Sequence, residues 1–376
     1  MERITIKTVS SKQDWKAFYA VQAIVNAQNL NWIAPLLVSV KDVFNFEKNP
    51  FWQFSAHQLF IATDEHGKPI GRIAAFYNHI HNKMYHDDCG YFGFLEFSTP
   101  SVCSALMAAA EVFLKGNYGI KKIVGPLNPS LNYELGVLVE GFDSKPYFMM
   151  PYNPEFYDSS LQKAEYQPEM DFFAYHLSTQ EVVENTKINR LSDVLIKRYK
   201  VSCRTINLKN FEQEAEIIRQ IYNDAFSEHW GFIPFEEAEF RYMAKDMTQV
   251  IDPQLLFVVE VAGEAAGFIL ALPNMNEVLT HIPNGRLFPL GWLKFLWYKK
   301  RIKTVRVINV AIRKRYMNMG LGAILYAEIG KRLQNGGYIG GEMGWVAANN
   351  VSMNSIAEDL GGRQTQKYRV YQKLLI

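Results

Sequence analysis

Apolar and polar positions follow the same order twice along the chain, about 200 residues apart. In the first copy QLFIATDEHGKPIGRIAAFYN sets apolar runs around His66-Gly67. In the second, QLLFVVEVAGEAAGFILALPN does the same around Ala262-Gly263. Strand-like runs around a tight glycine turn predict a β-hairpin in each copy. Gly71 and Gly267 hold matching places. Ahead of the hairpins come a strand, a helix and a turn, Asn31-Trp32 with Pro35 in one copy and His229-Trp230 with Pro234 in the other. In the second copy the strand reads Val201–Leu208 and the helix Glu212–Phe226. Behind them a strand, Tyr91–Phe97 or Thr304–Ile312, leads into a helix, Val102–Lys115 or Gly322–Asn335. Gly116 and Gly336 are expected to stop those helices. The pattern predicts two tandem α/β domains with mixed sheets.

Length agrees, since 376 residues exceed what one hydrophobic core usually supports. The polar stretch STQEVVENTKINR puts the boundary near Thr179–Arg190, giving domains 1–185 and 186–376. With 40 basic against 38 acidic residues, the chain has too little excess positive charge to live on nucleic-acid phosphates. Cys89, Cys103 and Cys203 lack the spacing of a zinc site or disulfide framework and read as buried thiols of a reducing compartment. There is no apolar signal core at the N-terminus and no run near the about 20 apolar residues that span a bilayer. A cytoplasmic location follows as the expectation.

The sharpest local chemistry is VINVAIRKRYMNMGLGAILYAEIGKRL, a buried strand, a basic turn, Gly320-x-Gly322 and a long helix. Glycines let backbone approach a pyrophosphate while amides and the helix N-terminus face its charge. The stretch resembles motif A of the GNAT superfamily of acyl-CoA N-acyltransferases. That resemblance implies CoA as co-substrate, held by Val310, Ile312, Arg313, Arg315, Asn318, Met319, Gly320, Leu321, Gly322 and Ala323, with Asn350 beside the pantetheine. Lys314 adds positive potential. Met317 stands where the superfamily usually has Gln or Arg, and Ala357 where many members keep a tyrosine that protonates the leaving thiolate. Tyr326, Tyr368 and Tyr371 are alternative acids, each reading more readily as a packed aromatic. The first copy has Phe97-Ser98-Thr99-Pro100-Ser101 in place of the glycine loop, so it reads as a degenerate GNAT domain without a CoA site.

NPFWQF, GRIAAFYNHIHNKMYH, YFGFLEF, GPLNPSLNYELGVLVEGFDSKPYFMMPYNPEFY, HWGFIPFEEAEF and EDLGGRQTQKYRVYQK together are similar to the bacterial ceramide synthase-like tandem GNAT family over nearly the whole chain. The resemblance implies transfer of a fatty acyl group from acyl-CoA to a sphingoid base or related amine. Two other readings stay open, an aminoacyl-tRNA-dependent tandem GNAT transferase and a non-catalytic acyl-CoA or lipid sensor.

Acyl transfer to an amine needs a proton acceptor and a donor to the developing oxyanion. Glu228 and His229, beside Trp230 on the expected acceptor side, are the candidate base or relay. Asn309 in the motif A strand is a candidate amide donor. Asn128, Asn132, Tyr133, Glu134, Glu140 and Asp143 crowd one Gly- and Pro-rich segment and offer an amine-binding cluster, although turn chemistry also explains part of it. His79, His81 and His86 show no carboxylate or cysteine spacing that completes a metal site, so no metal is expected. Finally, RLFPLGWLKFLWYKKRIK, Arg286–Lys303, interrupts the second copy and has no counterpart in the first. Its apolar, aromatic and basic composition predicts a helix in a membrane interface, a peripheral contact with anionic lipid.

Overall fold

The computed structural model describes residues 3–375 and divides them into two compact units. The first holds residues up to Phe172, Leu279–Trp292 and those from Gln366 on. The second holds Phe173–Val278 and Leu293–Thr365. In chain order the elements are β1 (Thr5–Thr8), α1 (Lys12–Val25), α2 (Leu37–Val43), β2 (Ser55–Thr63), β3 (Pro69–Asn78), α3 (His79–Tyr85), β4 (Cys89–Phe97), α4 (Pro100–Tyr118), β5 (Lys122–Gly125), β6 (Leu127–Asn128), β7 (Glu134–Leu135), β8 (Val137–Glu140), α5 (Phe156–Lys163) and β9 (Gln167–Ser178). There follow α6 (Thr179–Glu184), α7 (Thr186–Tyr199), β10 (Val201–Thr205), α8 (Phe211–Phe226), α9 (Glu237–Met247), β11 (Leu256–Val261), β12 (Glu264–Pro273), α10 (Asn276–Leu279), α11 (Gly291–Lys299), β13 (Thr304–Ile312), α12 (Leu321–Asn335), β14 (Gly340–Ala347), α13 (Val351–Asp359) and β15 (Arg363–Leu374).

In the first unit β1 to β4 pair antiparallel in sequence and β4 pairs parallel to β5. The core lies between this sheet and α4, where Ile73, Phe92, Phe97, Leu106 and Leu114 are buried. The second unit repeats the plan, with β10 to β13 antiparallel and β13 parallel to β14, and with Ile269 and Val305 of the sheet buried in one core with Leu321 and Leu325 of α12. The repeat holds at single residues. Gly71 pairs with Phe97, and Gly267 with Ile312, each at the C-terminal end of the strand that feeds the long helix. A Cβ at Gly267 would come within 2.5 Å of the Ala311 carbonyl oxygen, so only glycine fits. Ala262 and Gly263 both have positive φ, the geometry of a two-residue hairpin turn closed by the Val261–Glu264 pair.

Two expectations change. The polar stretch at 179–190 is no linker: it forms α6 and the start of α7, whose Ile188, Ser192 and Leu195 are buried at helical spacing. The division falls earlier, at Phe172/Phe173 within β9, and the segments 279–292 and 366–376 join the first unit. Gly116 does not end its helix. α4 runs on to Tyr118 and stops at Gly119, which takes the left-handed conformation (φ 59°) at the C-cap.

Candidate functional site

The motif A strand β13 parts company with its neighbour halfway along. Its parallel pairing to β14 runs from Thr304–Gly340 to Val307–Met343 and ends there, whereas its pairing to β12 continues to Ile312. On the β12 side the register jumps from Leu270–Asn309 to Ala271–Val307, leaving Ile308 as an extra, bulged residue. A bulge bends a strand and re-aims its groups. Val307 to Val310 are half-buried, in contrast to the buried Val305 and Arg306 below. Beyond Val307 and Met343 the two strands are no longer paired, and Asn309 lies half-buried on that unpaired stretch of β13.

The strand delivers the chain into a 3₁₀ turn, Lys314–Met319, then Gly320 in the left-handed region (φ 71°), then α12. Gly320 is the N-cap and provides no side-chain cap. Added atoms at Gly322 would meet only ordinary contacts, Tyr326 Cε2 at 3.8 Å and Ile312 Cδ1 at 4.0 Å. An uncapped helix start at Gly320, with Gly322 in its first turn, is suited to an anion. The basic residues around it are tethered. Arg315 pairs with Glu264 at 2.6 Å, and the Arg313 side chain donates to the Ala265 carbonyl at 3.0 Å. Lys314 donates to Glu228 at 2.5 Å, and its backbone N–H donates to Asp224 at 2.8 Å. Met317 and Asn318 are exposed and Met319 half-buried on the same turn; Leu321 is buried and Ala323 half-buried on α12.

Glu228 therefore lies by the start of the basic turn, with His229 next to it in the chain. Glu228 is exposed, and the Lys314 ammonium holds its carboxyl below the usual range. His229 keeps an exposed edge, but crowding around the imidazole, with the Phe226 ring 5.0 Å away, disfavours its charged form and lowers its pKa. Trp230 follows half-buried in the same turn. Asn350 is committed as the N-cap of α13, its side chain accepting from the Met353 N–H at 3.1 Å. Ala357 is fully buried in α13, so no acid stands there. Tyr326 is buried with only the thioethers of Met343 and Met353 near its hydroxyl, at 3.9 and 3.8 Å. Tyr368 donates to Gln366 at 2.9 Å and Tyr371 to Asp158 at 2.5 Å, both as packed aromatics.

The equivalent place in the first unit is filled and capped. Thr99 caps α4 with its own hydroxyl, accepting from the Val102 N–H at 3.4 Å, and Pro100 takes the first turn. Beside β4, a Cβ at Gly93 would overlap the Leu127 carbonyl, because β6 lies directly on the strand. Asn128 accepts from the Phe94 N–H at 2.5 Å, a structural bond that holds Phe94 at its positive φ. Asn132 and Tyr133 turn back on Ser130, and Glu134 pairs with Asn128 across β6 and β7. Glu140 lies near Lys367 at 3.4 Å. The cluster 128–134 is thus one turn built partly on its own hydrogen bonds.

Sequence reasoning missed three things. Arg306 and Glu342, charged residues inside apolar strands, face each other in register and are both 1 % exposed. Tyr175 donates to Asn354 at 2.9 Å and so fixes α13. The third corrects an expectation: a carboxylate and a cysteine do stand by His81, since His81, Asp87 and Cys89 bring ligand atoms within 4.8 Å of one another. Lys122 pairs with Asp87 at 2.8 Å and burial pushes the Cys89 thiol up to about 12, while His81 Nδ1 is buried without a hydrogen-bond partner among the described residues.

No protein-family model matches the chain. Among curated proteins it is 34 % identical to the bacterial ceramide synthase of Caulobacter vibrioides over 383 residues, covering 99 % of this chain and 98 % of that one. It is 32 % identical to Protein YghO of Escherichia coli K12, covering 98 % and 95 %. Among solved structures it matches a tandem GNAT protein from the clavulanic acid biosynthesis pathway, with TM-score 0.56, 9 % identity and 99 % and 98 % coverage. A GCN5-related glucosamine N-acetyltransferase region of a fungal multi-domain β-N-acetylglucosaminidase matches with TM-score 0.58 and 14 % identity, over 99 % of this chain and 38 % of that longer one. Likenesses at these identities establish the fold.

Proposed function

The chain belongs to the bacterial ceramide synthase-like family of tandem GNAT proteins, and from that premise we propose that it transfers a fatty acyl group from acyl-CoA to the amine of a sphingoid base or related long-chain acceptor. One observation carries the placement of the CoA. Of two equivalent strand-to-helix turns, that of the second unit starts its helix at an uncapped left-handed Gly320, while that of the first is closed by Thr99 and Pro100. The pyrophosphate sits on the start of α12 and the pantetheine runs to the point where β13 leaves β14. The bulge at Ile308 turns the strand toward the thioester, with Asn309 as the nearby side-chain amide.

In the reaction the neutral amine nitrogen attacks the thioester carbonyl carbon, the C–S bond breaks, and one amine proton must be taken up as the amide forms. His229 suits that role better than Glu228. Its lowered pKa keeps it neutral at pH 7, and Glu228 is engaged with Lys314. Replacing His229 with Ala is expected to lower kcat about a hundredfold, the typical loss for a general base. The wild-type acid limb should lie below the ordinary histidine range and vanish in the variant. Full kcat with an unchanged pH profile would remove His229 from the mechanism.

Calorimetry should find one CoA per chain, since the capped start of α4 offers no second place. Two equivalent sites would contradict this. The decisive assay is incubation with a panel of acyl-CoAs and amines, including sphinganine and 3-ketosphinganine, followed by mass spectrometry. Long-chain amide products are expected. Acylation of short amines alone would refute the lipid acceptor, and no turnover with intact CoA binding would favour a sensor.

A further inference from the structure

The inserted segment before β13 is a helix that the protein leaves uncovered. None of the described residues of α11 is buried. Phe288, Leu290, Trp292, Leu293, Leu296 and Trp297 are 82, 63, 44, 49, 56 and 60 % exposed. Four of them, Trp292, Leu293, Leu296 and Trp297, share one helical face, and Gly291, Phe295 and Tyr298 on the other side are the more covered ones. Scattered apolar residues at a surface need no explanation, but a contiguous aromatic face does.

Charge selects its occupant. From Arg286 to Lys303 there are six basic and no acidic residues, in a chain whose formal net charge is only +2. A second copy seated on this face by a twofold axis would bring one set of cations against the other. The guanidinium of Arg301 lies over the Trp297 ring at 4.2 Å, and Lys299 donates to the Gln249 carbonyl at 2.7 Å, so the basic end is held beside the apolar face. Among the described residues no helix is long and apolar enough to cross a membrane. Nine residues of helix reach about 14 Å, against a hydrocarbon core of about 30 Å.

We propose that α11 and its flanks form a docking element for the surface of an anionic bilayer. Trp292, Leu293, Leu296 and Trp297 enter the boundary between headgroups and acyl chains, and Lys294, Lys299, Lys300, Arg301 and Lys303 meet the lipid phosphates. The docking stands on the helix itself; its purpose, delivery of long-chain substrates, rests on the function proposed above.

The test is co-sedimentation of the full chain with phosphatidylcholine vesicles, with and without phosphatidylglycerol, at low and high salt. Binding should require the anionic lipid and fall as salt rises. Trp292→Ser/Trp297→Ser should weaken it by about tenfold or more, from the apolar area no longer buried. Lys299→Gln/Lys300→Gln/Lys303→Gln should remove most of the salt-sensitive part. CoA affinity, measured in parallel, should stay at the wild-type value in every variant. A wild type that binds CoA yet ignores anionic vesicles at low salt overturns the docking and leaves the enzyme reading in place. Vesicle binding without CoA binding does the reverse. A low-salt dimer that the tryptophan variants dissociate, with no vesicle binding, would make the face a self-interface and also overturn the proposal.

Discussion

Gly322→Val is expected to lose at least about a thousandfold in CoA affinity while the chain stays folded, the size of two charge-assisted hydrogen bonds forfeited together. The position separates ligand approach from folding. At Gly322 a Cβ meets nothing closer than 3.8 Å, and a residue with a side chain in the first turn of α12 carries no backbone strain. The valine methyls would instead stand over the helix start, where phosphate oxygens need to approach the amides. Gly320→Val is a poorer probe. Gly320 has φ 71° and its Cβ would come within 3.1 Å of Leu195 Cδ1, so strain of about 1–3 kcal/mol would accompany any loss of binding. Calorimetric titration with CoA beside a thermal melt checks both. A Gly322→Val protein with wild-type melting and wild-type CoA affinity would place the pyrophosphate elsewhere.

The duplicated plan was legible because hairpins and glycine turns are local. Strand alternation and the Ala262-Gly263 turn need no tertiary knowledge, and the matched pairs at Gly71 and Gly267 follow from that periodicity. The glycine turn ahead of α12 was equally legible, since its demand for positive φ at Gly320 is set by the strand-to-helix geometry. The division at Phe172/Phe173 was not. Polar composition suggested a linker at 179–190, but Val182 buries in α6 and Ile188 in the first turn of α7, and strand β9 carries no mark where one unit ends. Asn128 misled in another way. Its residue type suits amine recognition, yet its carbonyl oxygen is spent on the Phe94 N–H, a pairing across 34 positions that no spacing rule reveals. Gly93 and Gly125 mark close approaches of backbone there, since a Cβ would come within 1.7 Å of the Leu127 carbonyl oxygen at the first and 2.2 Å of the Phe92 carbonyl oxygen at the second.

Arg306→Leu is expected to destabilise the chain by about 3–5 kcal/mol at alkaline pH, the cost of leaving a buried charge without its partner. Arg306 and Glu342 sit in register one step before β13 and β14 separate, so they pin the end of the paired stretch. The guanidinium donates to the Gly344 carbonyl at 3.0 Å and lies over the Trp345 ring at 4.5 Å. Burial raises the Glu342 carboxyl to about 7, with Arg306 working in the opposite direction. A folded-state value above the unfolded 4.5 means that this carboxyl contributes its full stability below pH 4.5 and loses it as pH rises to about 7. Without Arg306 the folded-state value climbs further, and folding must then hold a proton that solvent would remove. Below pH 7 both proteins keep Glu342 neutral, so the deficit there reflects the other contacts of the Arg306 side chain, among them the bond to Gly344 and the Trp345 ring. Above it the deficit should widen by about 1.4 kcal/mol per pH unit until the variant's own carboxyl ionises. Arg306→Leu/Glu342→Leu should recover most of the loss, because the pair exchanged for apolar side chains leaves no charge behind. Urea unfolding on either side of neutral pH measures all three proteins. A deficit that does not change with pH, or a double variant no more stable than the single one, would mean that Glu342 is not held by Arg306. The end of the paired stretch would then owe its rigidity to the apolar neighbours Val305 and Met343 alone.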